Sequence, residues 1–543
     1  MSHPDPNELY DGAVDHRGEA LPYLSKSAKN MKMEELLDTP MPNFSGSTPG
    51  SYFWTKVLYW ICRRISAVQF RTHEATGISN IPLDRGTLCC AWHTNGILDA
   101  LQITLKHPKH FVLGARHDLV TRPMLGWWTR KMAVQPVVRK AELLRGGCSE
   151  EEANFLNGRS LLTLASGIAH GFGCVLFPEG TSHNNSYMLR FRTGPVRTVL
   201  AAGALASSLD KELPVLIPIG LHFRVREHFR TDVWVEYGEP IQLTKSDIPQ
   251  DLIDAVANGS WSEPPAEIVF KLRDKLRIEM EPITPNVAEW EEYRALHLLG
   301  HIENRLQNNP PNSWRKEVLA ARGIRDRIVK QEREVINDEP KPDVIEHPII
   351  KPAISAAQIL EENNLDGRDL NVKGTDLRFA NFSKLPISLA RSFAFIALLP
   401  LFLLSLAPQV ILGRLLGDST DEGVDARTSY QFLAAMFGSL LIWPIASTIA
   451  VIIVALQEAR ISEIINHDWT EILGHSTLSN YVMLFIAWLS FMPLFWLSGR
   501  LGSLAWDDYT YLRKFFIRLR MKKSTRQNLK ALLNNIQEEI TEI

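Results

Sequence analysis

The chain has 543 residues, of which 45% are hydrophobic and 22% are charged, and its formal net charge is -2 at pH 7. This length can bury a large core and predicts two or three structural units. The near balance of charge gives no overall attraction to nucleic acid, which is therefore not expected among the partners. The five cysteines include no Cys-x-x-Cys pair. A zinc site or a disulfide framework is thus not expected, and a reducing compartment is favoured.

The N-terminal part divides into two stretches. Residues 1–50 have no charged start followed by an apolar run, so they lack the pattern of a cleavable secretion signal. They are rich in Pro, Ser, Asp and Gly and are predicted to form a flexible N-terminus. Residues 51–70 carry apolar side chains at helical spacing, interrupted by Lys56, Arg63 and Arg64. This pattern predicts an amphipathic helix, either packed on the next domain or lying at a bilayer surface.

Between residues 72 and 243, short apolar runs alternate with helical patterns. Such alternation predicts an α/β domain with a mostly parallel sheet flanked by helices, which we assign to residues 51–245. The predicted strands are residues 86–92, 110–115, 134–138, 173–177, 215–221 and 232–237. Ligands of such sheets bind at the carboxyl ends of the strands, where His93, Arg139 and Glu179 fall.

A histidine and an aspartate six positions apart follow the first predicted strand. We expect His93 to lie in the turn after the strand and Asn95 to cap a helix that begins at Gly96. Asp99 then falls in the first helical turn and points back toward His93. A carboxylate there could hold one imidazole nitrogen and leave the other to accept a proton from an alcohol. On these residues alone, a histidine satisfied in a core or loop remains the more common alternative.

A second stretch of the same kind reads Phe-Pro-Glu-Gly at residues 177–180. The two stretches together resemble the HX5D and FPEG blocks of the phospholipid/glycerol acyltransferase superfamily (PlsC-like). Residues 125–139, which end in arginine after an apolar strand, are similar to the second block of that family. Residues 214–223 are similar to its fourth block. All four blocks follow the family's order across residues 50–245.

The resemblance implies a mechanism and a set of site residues. It implies that His93 is the general base, that Asp99 orients it, and that Glu179, Gly180 and Thr181 help to bind the acyl acceptor. Arg139 also has a use of its own, because a guanidinium can grip a phosphate in bidentate fashion. A surface ion pair with a nearby glutamate is the alternative for Arg139.

The sequence departs from the family pattern after the Glu-Gly pair. Many members have arginine there, whereas this chain has Ser182 and His183. The variant resembles the glycerol-3-phosphate and dihydroxyacetone-phosphate acyltransferases of fungi and some prokaryotes. Arg192 and then Arg116 become further candidates for the phosphate ligands. The resemblance implies an acyl-CoA or acyl-carrier-protein thioester as donor and glycerol 3-phosphate as acceptor, with lysophosphatidate as the alternative, and neither a cofactor nor a metal.

The second half of the chain changes in character. Residues 246–384 combine charged helical patterns with Pro-rich breaks and are predicted to form a helical connector. Residues 385–505 contain charge-free runs at 392–413, 428–457 and 472–499. Each run exceeds the roughly 20 residues needed to cross a hydrocarbon core, so a lipid bilayer is the expected partner.

Charge predicts the topology of these runs. Residues 506–543 form a basic tail, which is expected on the cytoplasmic side together with the catalytic domain. An even number of crossings is then required. The first run contains Pro400 and Pro408 and is predicted to dip in or lie at the interface, while the other two form a spanning C-terminal membrane hairpin. The expected location is the plasma membrane of a prokaryote or the endoplasmic reticulum of a eukaryote.

Two functions of other classes are the alternatives to an acyltransferase: a hydrolase and a non-catalytic membrane scaffold.

Overall fold

The structure is a computed structural model that describes residues 31–138, 148–329, 337–379, 383, 385–419, 424–465 and 477–541. Two subjects of the predictions above, residues 1–30 and Arg139, lie outside these ranges. The expectations for them therefore stay predictions.

The described residues form two sheets. Their strands are β1 (Phe70–Thr76), β2 (Thr87–Ala91), β3 (Phe111–Val112), β4 (Gly114–Arg116), β5 (Gln135–Val137), β6 (Gly173–Leu176), β7 (Val215–Phe223), β8 (Thr231–Tyr237) and β9 (Ile241–Gln242). The main sheet has the order β1-β8-β7-β2-β6-β3, with β9 paired to β7, and β4 pairs with β5 separately. Only β7 forms antiparallel pairs, with β8 and β9, among the described strands. The mostly parallel sheet of the sequence prediction is confirmed.

Helices flank the main sheet. They are also the main elements of the described residues after the sheet. Those of the α/β domain are α1 (Met33–Leu37), α2 (Tyr52–Gln69), α3 (Ile97–Lys106), α4 (His117–Thr121), α5 (Leu125–Lys131), α6 (Glu150–Ala169) and α7 (Gly194–Ser208). The connector contains α8 (Gln250–Ala257), α9 (Ala266–Met280), α10 (Trp290–Leu306), α11 (Trp314–Ile328) and α12 (Ile350–Glu362). The last helices are α13 (Leu385–Ala397), α14 (Leu399–Asp418), α15 (Val424–Ile465), α16 (Thr477–Arg520) and α17 (Lys523–Ile540).

Strand β2 is the centre of the sheet and carries the candidate site at its carboxyl end. All five of its residues are buried, and it pairs in parallel with β6 on one side and β7 on the other. Cys89 packs into the core below the sheet, with α2 and α3, whereas Cys90 packs into the core above it, with α6 and α7. Burial raises the pKa of the Cys90 thiol, so this cysteine serves as a small apolar core residue.

The described part of the predicted flexible N-terminus, residues 31–50, packs on the domain instead. Leu36 is fully buried, and the ring of Phe44 stacks on His170 with centroids 5.1 Å apart. The guanidinium groups of Arg130 and Arg159 donate to backbone carbonyls of this segment. Donors from the folded domain thus satisfy part of a backbone that forms little secondary structure of its own.

The described residues of the predicted basic tail, residues 506–541, are mostly helical. Its first part continues α16 without a break as far as Arg520, and the rest forms α17. Leu529, Leu533 and Ile536 of α17 are buried in one core with α10 and α12 of the connector. Between its basic residues, α17 carries apolar side chains at helical spacing. This apolar face is buried against the connector.

The three apolar runs are helical wherever the structure describes them, and residues 472–476 of the third lie outside the described ranges. By length and composition, α14, residues 427–454 of α15 and residues 481–520 of α16 could each cross a membrane. The first run is split at Leu398, between α13 and α14. Thr428 near the start of α15 donates to the carbonyl of Arg226, and Asp507 of α16 pairs with Arg230 at 2.6 Å. The start of α15 and the C-terminal part of α16 thus both lie against the α/β domain. This is the arrangement that a hairpin of the two helices requires. A dip or a crossing for the first run stays a prediction.

Candidate active site

The turn after β2 holds the imidazole of His93 in a defined orientation. Nδ1 lies 2.9 Å from Oδ2 of Asp99, and the ring stacks on Phe177 with centroids 3.8 Å apart and an interplanar angle of 10°. Because a carboxylate can only accept, the hydrogen of the neutral imidazole resides on Nδ1. Nε2 is then the basic nitrogen, and no described residue bonds to it. The side chain of His93 is 16% exposed, whereas Asp99 is fully buried.

Asp99 organises the turn as well as the histidine. Its Oδ2 also accepts the backbone N–H groups of Thr94 and Asn95, both at 2.7 Å. The predicted cap was wrong, because Gly96, and not Asn95, precedes the first helical residue, and its φ is +52°. The positive φ lets the chain reverse sharply, and the carboxylate of Asp99 satisfies two N–H groups of the turn that precedes the helix.

Glu179 joins the two sequence blocks in space. Its side chain is fully buried. Oε2 accepts the backbone N–H of His93 at 2.8 Å, while Oε1 accepts the N–H of Leu189 at 2.7 Å and Nε2 of His183 at 2.8 Å. Both oxygens are therefore occupied by the protein itself. Glu179 therefore holds the His93 turn in place. The acceptor contact that the resemblance implies for this residue stays a prediction.

The rest of the Phe-Pro-Glu-Gly turn is open to solvent. Gly180 is exposed and has a φ of +74°, and Thr181 is half-buried. The side chain of Arg192 packs beside this turn, since a Cβ added at Gly180 would lie 3.4 Å from its Cγ. The backbone N–H of Arg192 donates to Pro178 at 2.6 Å. The structure therefore brings Gly180, Thr181 and Arg192 together, and their contact with an acceptor stays a prediction.

Arg116 lies at the end of β4, in the two-stranded sheet. Its guanidinium pairs with Asp118, which also binds Arg122 at 2.6 Å. The parallel register of β4 and β5 places Arg116 opposite Val137, two positions before Arg139 in the chain. Arg139 itself is outside the described residues, so whether both arginines face one phosphate stays a prediction.

Sequence reasoning missed three residues that build the site. Phe177, the first residue of the Phe-Pro-Glu-Gly block, supplies the ring beneath His93. Arg226 donates to the carbonyl groups of Thr94 and His183 at 2.9 and 3.1 Å. Ser429 of α15 accepts the N–H that opens α3 at 3.0 Å. Phe177 could have been suspected from its block, whereas Arg226 and Ser429 carry no local signal because their partners are remote in sequence.

Residues 72–221, which contain strand β2 and both sequence blocks, match the Acyltransferase family model. No group of three or more His, Cys, Asp or Glu side chains able to hold a metal ion occurs within the described ranges.

Two yeast proteins are similar to the chain. Glycerol-3-phosphate O-acyltransferase 2 of Saccharomyces cerevisiae is 29% identical over 151 residues, which cover 28% of this chain and 19% of that protein. Glycerol-3-phosphate O-acyltransferase 1 of the same organism is 26% identical over 135 residues, covering 25% and 16%. The matched segment thus spans less than a fifth of either relative. The 1-acyl-sn-glycerophosphate (LPA) acyltransferase PlsC of Thermotoga maritima aligns with a TM-score of 0.26 at 17% identity, over 40% of this chain and 78% of that one.

Proposed function

We propose that the protein is a membrane-bound O-acyltransferase that moves a fatty acyl group from an acyl thioester to glycerol 3-phosphate. The observation that carries this proposal is the His93–Asp99 pair, in which Nδ1 is bound at 2.9 Å and no described residue bonds Nε2. The names of the two yeast relatives support glycerol 3-phosphate as the acceptor. The donor is an acyl-CoA or an acyl-carrier-protein thioester.

In the proposed reaction, Nε2 of His93 takes the proton of the acceptor hydroxyl while its oxygen attacks the thioester carbonyl. The tetrahedral intermediate collapses, the C–S bond breaks, and the thiolate leaves and recovers the proton from the imidazolium. Asp99 stabilises the imidazolium and prevents rotation of the ring. Arg139, Arg192 and Arg116 are the proposed phosphate ligands, beside Gly180 and Thr181, because guanidinium groups match the geometry of a phosphate.

A lysophosphatidate acceptor is the second candidate. It carries the same phosphorylated glycerol but adds one acyl chain, which would have to reach the site from a bilayer. The specific observation in its favour is the contact of α15 with the catalytic turn, through Ser429 and the N–H of Ile97. This contact joins an apolar helix to the turn that follows the proposed base.

We also propose that the protein is integral to the membrane, with the catalytic domain on the cytoplasmic face. Acyl thioesters and phosphorylated glycerol are found on that side. The basic residues after the last apolar run are expected there too. The membrane would be the plasma membrane of a prokaryote or the endoplasmic reticulum of a eukaryote.

Acyl transfer by the purified protein tests the proposal. The detergent-solubilised protein is offered a labelled acyl thioester with glycerol 3-phosphate, with lysophosphatidate, or with neither acceptor. We expect labelled lysophosphatidate with the first acceptor and a loss of about a hundredfold to ten thousandfold in the His93→Ala variant. His228→Ala, at an exposed histidine outside the pair, is the control and should retain activity. Full activity of His93→Ala would refute the assignment, and thioester loss without acceptor would indicate a hydrolase.

A further inference from the structure

The helix α15 begins against the candidate active site. Three consecutive side chains near its start each contact a different part of the α/β domain. Thr428 donates to the carbonyl of Arg226 at 3.2 Å, and the hydroxyl of Tyr430 accepts from the guanidinium of Arg122 at 3.4 Å. Between these two, Ser429 reaches the turn that follows β2. Thr428 and Ser429 are both buried, so this end of α15 forms part of the wall behind the turn.

The hydroxyl of Ser429 bridges the two sides of Gly96. It accepts the N–H of Ile97 at 3.0 Å and donates to the carbonyl of Asn95 at 3.2 Å. The N–H of Ile97 belongs to the first residue of α3, where the helix itself provides no acceptor. Serine hydroxyls commonly serve such N–H groups from the residue just before a helix. Here the serine comes from a different helix, 332 positions further along the chain.

The bridged segment connects the two members of the proposed catalytic pair. Asp99 lies two residues after Ile97 in the first turn of α3, and its Oδ2 is 2.9 Å from Nδ1 of His93. The direction of the chain at Gly96 therefore sets where Asp99 lies relative to His93. Because glycine has no Cβ to restrict its backbone, this joint depends on bonds from outside. In the described chain Ser429 bonds to neither the imidazole nor the carboxylate, so it acts through the turn alone.

Apolar packing fixes the position of Ser429. Phe432 and Met436 follow it at intervals of three and four residues, so all three side chains lie on one face of α15. Phe432 and Met436 are buried in the same core as Leu98 of α3. Residues 427–454 of this helix are also long and apolar enough to cross a membrane. One continuous helix thus connects an apolar segment to the turn between His93 and Asp99.

From these contacts we propose that Ser429 is a positioning residue for the acyl transfer, and that the start of α15 completes the active site. The hydroxyl keeps Gly96 in the conformation that places the Asp99 carboxylate against Nδ1 of His93. The α/β domain then reaches its full rate only with α15 docked on it, which couples the apolar helix to the general base. This inference rests on the proposed function.

Steady-state acyl transfer by the full chain in detergent tests the role of Ser429. Ser429→Ala removes both hydrogen bonds and leaves little empty space. We expect kcat to fall about tenfold, since Asp99 no longer holds His93 in one orientation. KM for glycerol 3-phosphate should change less than about twofold, because no described candidate ligand of the acceptor bonds to Ser429. Ser439→Ala is the matched control and should keep the wild-type kcat, because this hydroxyl donates only to the carbonyl of Met436 in α15, at 2.7 Å.

Hydrogen–deuterium exchange of the same proteins supplies a readout that does not need activity. In Ser429→Ala, peptides that cover residues 93–99 should exchange about tenfold faster than in wild type, whereas peptides of β7 should be unchanged. Ser439→Ala should match wild type in both regions.

Three results would overturn the role of Ser429. They are a wild-type kcat in Ser429→Ala, a raised KM with unchanged kcat, and exchange that is unchanged at residues 93–99 or faster throughout the α/β domain. Each of them can occur in a protein whose wild type transfers acyl groups normally. Failure of the proposed function is distinct, because the wild-type protein itself would then transfer no acyl group to glycerol 3-phosphate.

Discussion

At the scale of single residues, the imidazole of His93 is held from two directions. Asp99 fixes Nδ1 through a bond of 2.9 Å, and Phe177 lies parallel to the ring. Glu179 fixes the backbone of the same residue at 2.8 Å. The side chain of the proposed general base has little freedom in this arrangement, so its Nε2 has a fixed direction before any acceptor binds.

Glu179→Gln distinguishes a positioning role from an acceptor-binding role. The amide keeps the shape of the side chain. Its NH2 group, however, would face an N–H group that bonds to a carboxylate oxygen in the wild-type protein. Loss of a hydrogen bond to a charged group amounts to about 1.5–3 kcal/mol. We therefore expect kcat to fall about tenfold to a hundredfold while KM for glycerol 3-phosphate changes little, as measured by steady-state kinetics. A raised KM with an unchanged kcat would instead mean that Glu179 binds the acceptor.

At the scale of elements, α10 and α11 are joined by a stack of rings. The imidazole of His297 lies parallel to the indole of Trp314, with centroids 5.0 Å apart, and makes an edge contact with the ring of Tyr293 at 4.4 Å. Burial lowers the pKa of His297 to about 3, and the nearby Glu317 carboxylate only partly opposes this shift. In the folded protein this histidine therefore stays neutral at pH values at which a free histidine is already protonated.

His297→Phe should make the protein less sensitive to acid. Between about pH 6.5 and pH 3 the unfolded chain binds a proton at His297 that the folded protein does not. The stability contributed by the neutral ring is complete above pH 6.5 and falls as the pH is lowered. We expect wild type to lose about 1–2 kcal/mol more than His297→Phe between pH 6.5 and pH 5.

The measurement for His297→Phe is the thermal unfolding midpoint in detergent as a function of pH. The comparison at pH 7.5 is the control, where the two proteins should be similar because Nε2 of His297 has no partner in the described chain. Parallel pH curves for the two proteins would show that His297 titrates normally.

At the scale of the whole molecule, ion pairs tie the three parts together. Asp232 of β8 pairs with Arg368 of the connector at 2.9 Å. Burial opposes the ionisation of Asp232, but the hydrogen bond from Arg71 and the charge of Arg368 outweigh it and hold its pKa below the usual range. Arg230 and Lys514 join the α/β domain and the connector to α16. The apolar helices therefore approach the catalytic domain in a defined way.

The hairpin topology predicts the accessibility of single cysteines. Thr420 and Asn466 flank α15 in sequence, outside the described residues. In sealed vesicles, a cysteine at Thr420 should react with a membrane-impermeant maleimide from the same side as one at Lys523, and a cysteine at Asn466 from the opposite side. Cys148, which is only half-buried, is replaced by serine in the background. Labelling of Asn466 and Thr420 from one side would contradict the hairpin.

Several features of the protein were determined by sequence alone. The strands around His93 could be predicted because each is a short apolar run closed by polar residues. The His93–Asp99 contact could be predicted because only a tight turn separates His93, just after the strand, from Asp99 in the first helical turn. The apolar helices could be predicted because length and lack of charge are local properties.

Only the tertiary structure decided the remaining features. Glu179 turns inward to His93, Ser429 reaches the catalytic turn from a distant helix, and α17 packs into the connector. Residues 31–50 are held by donors of the folded domain. The physical reason is common to all of these. A side chain's role depends on which remote group satisfies its hydrogen bonds or covers its apolar surface, and no local pattern encodes that partner.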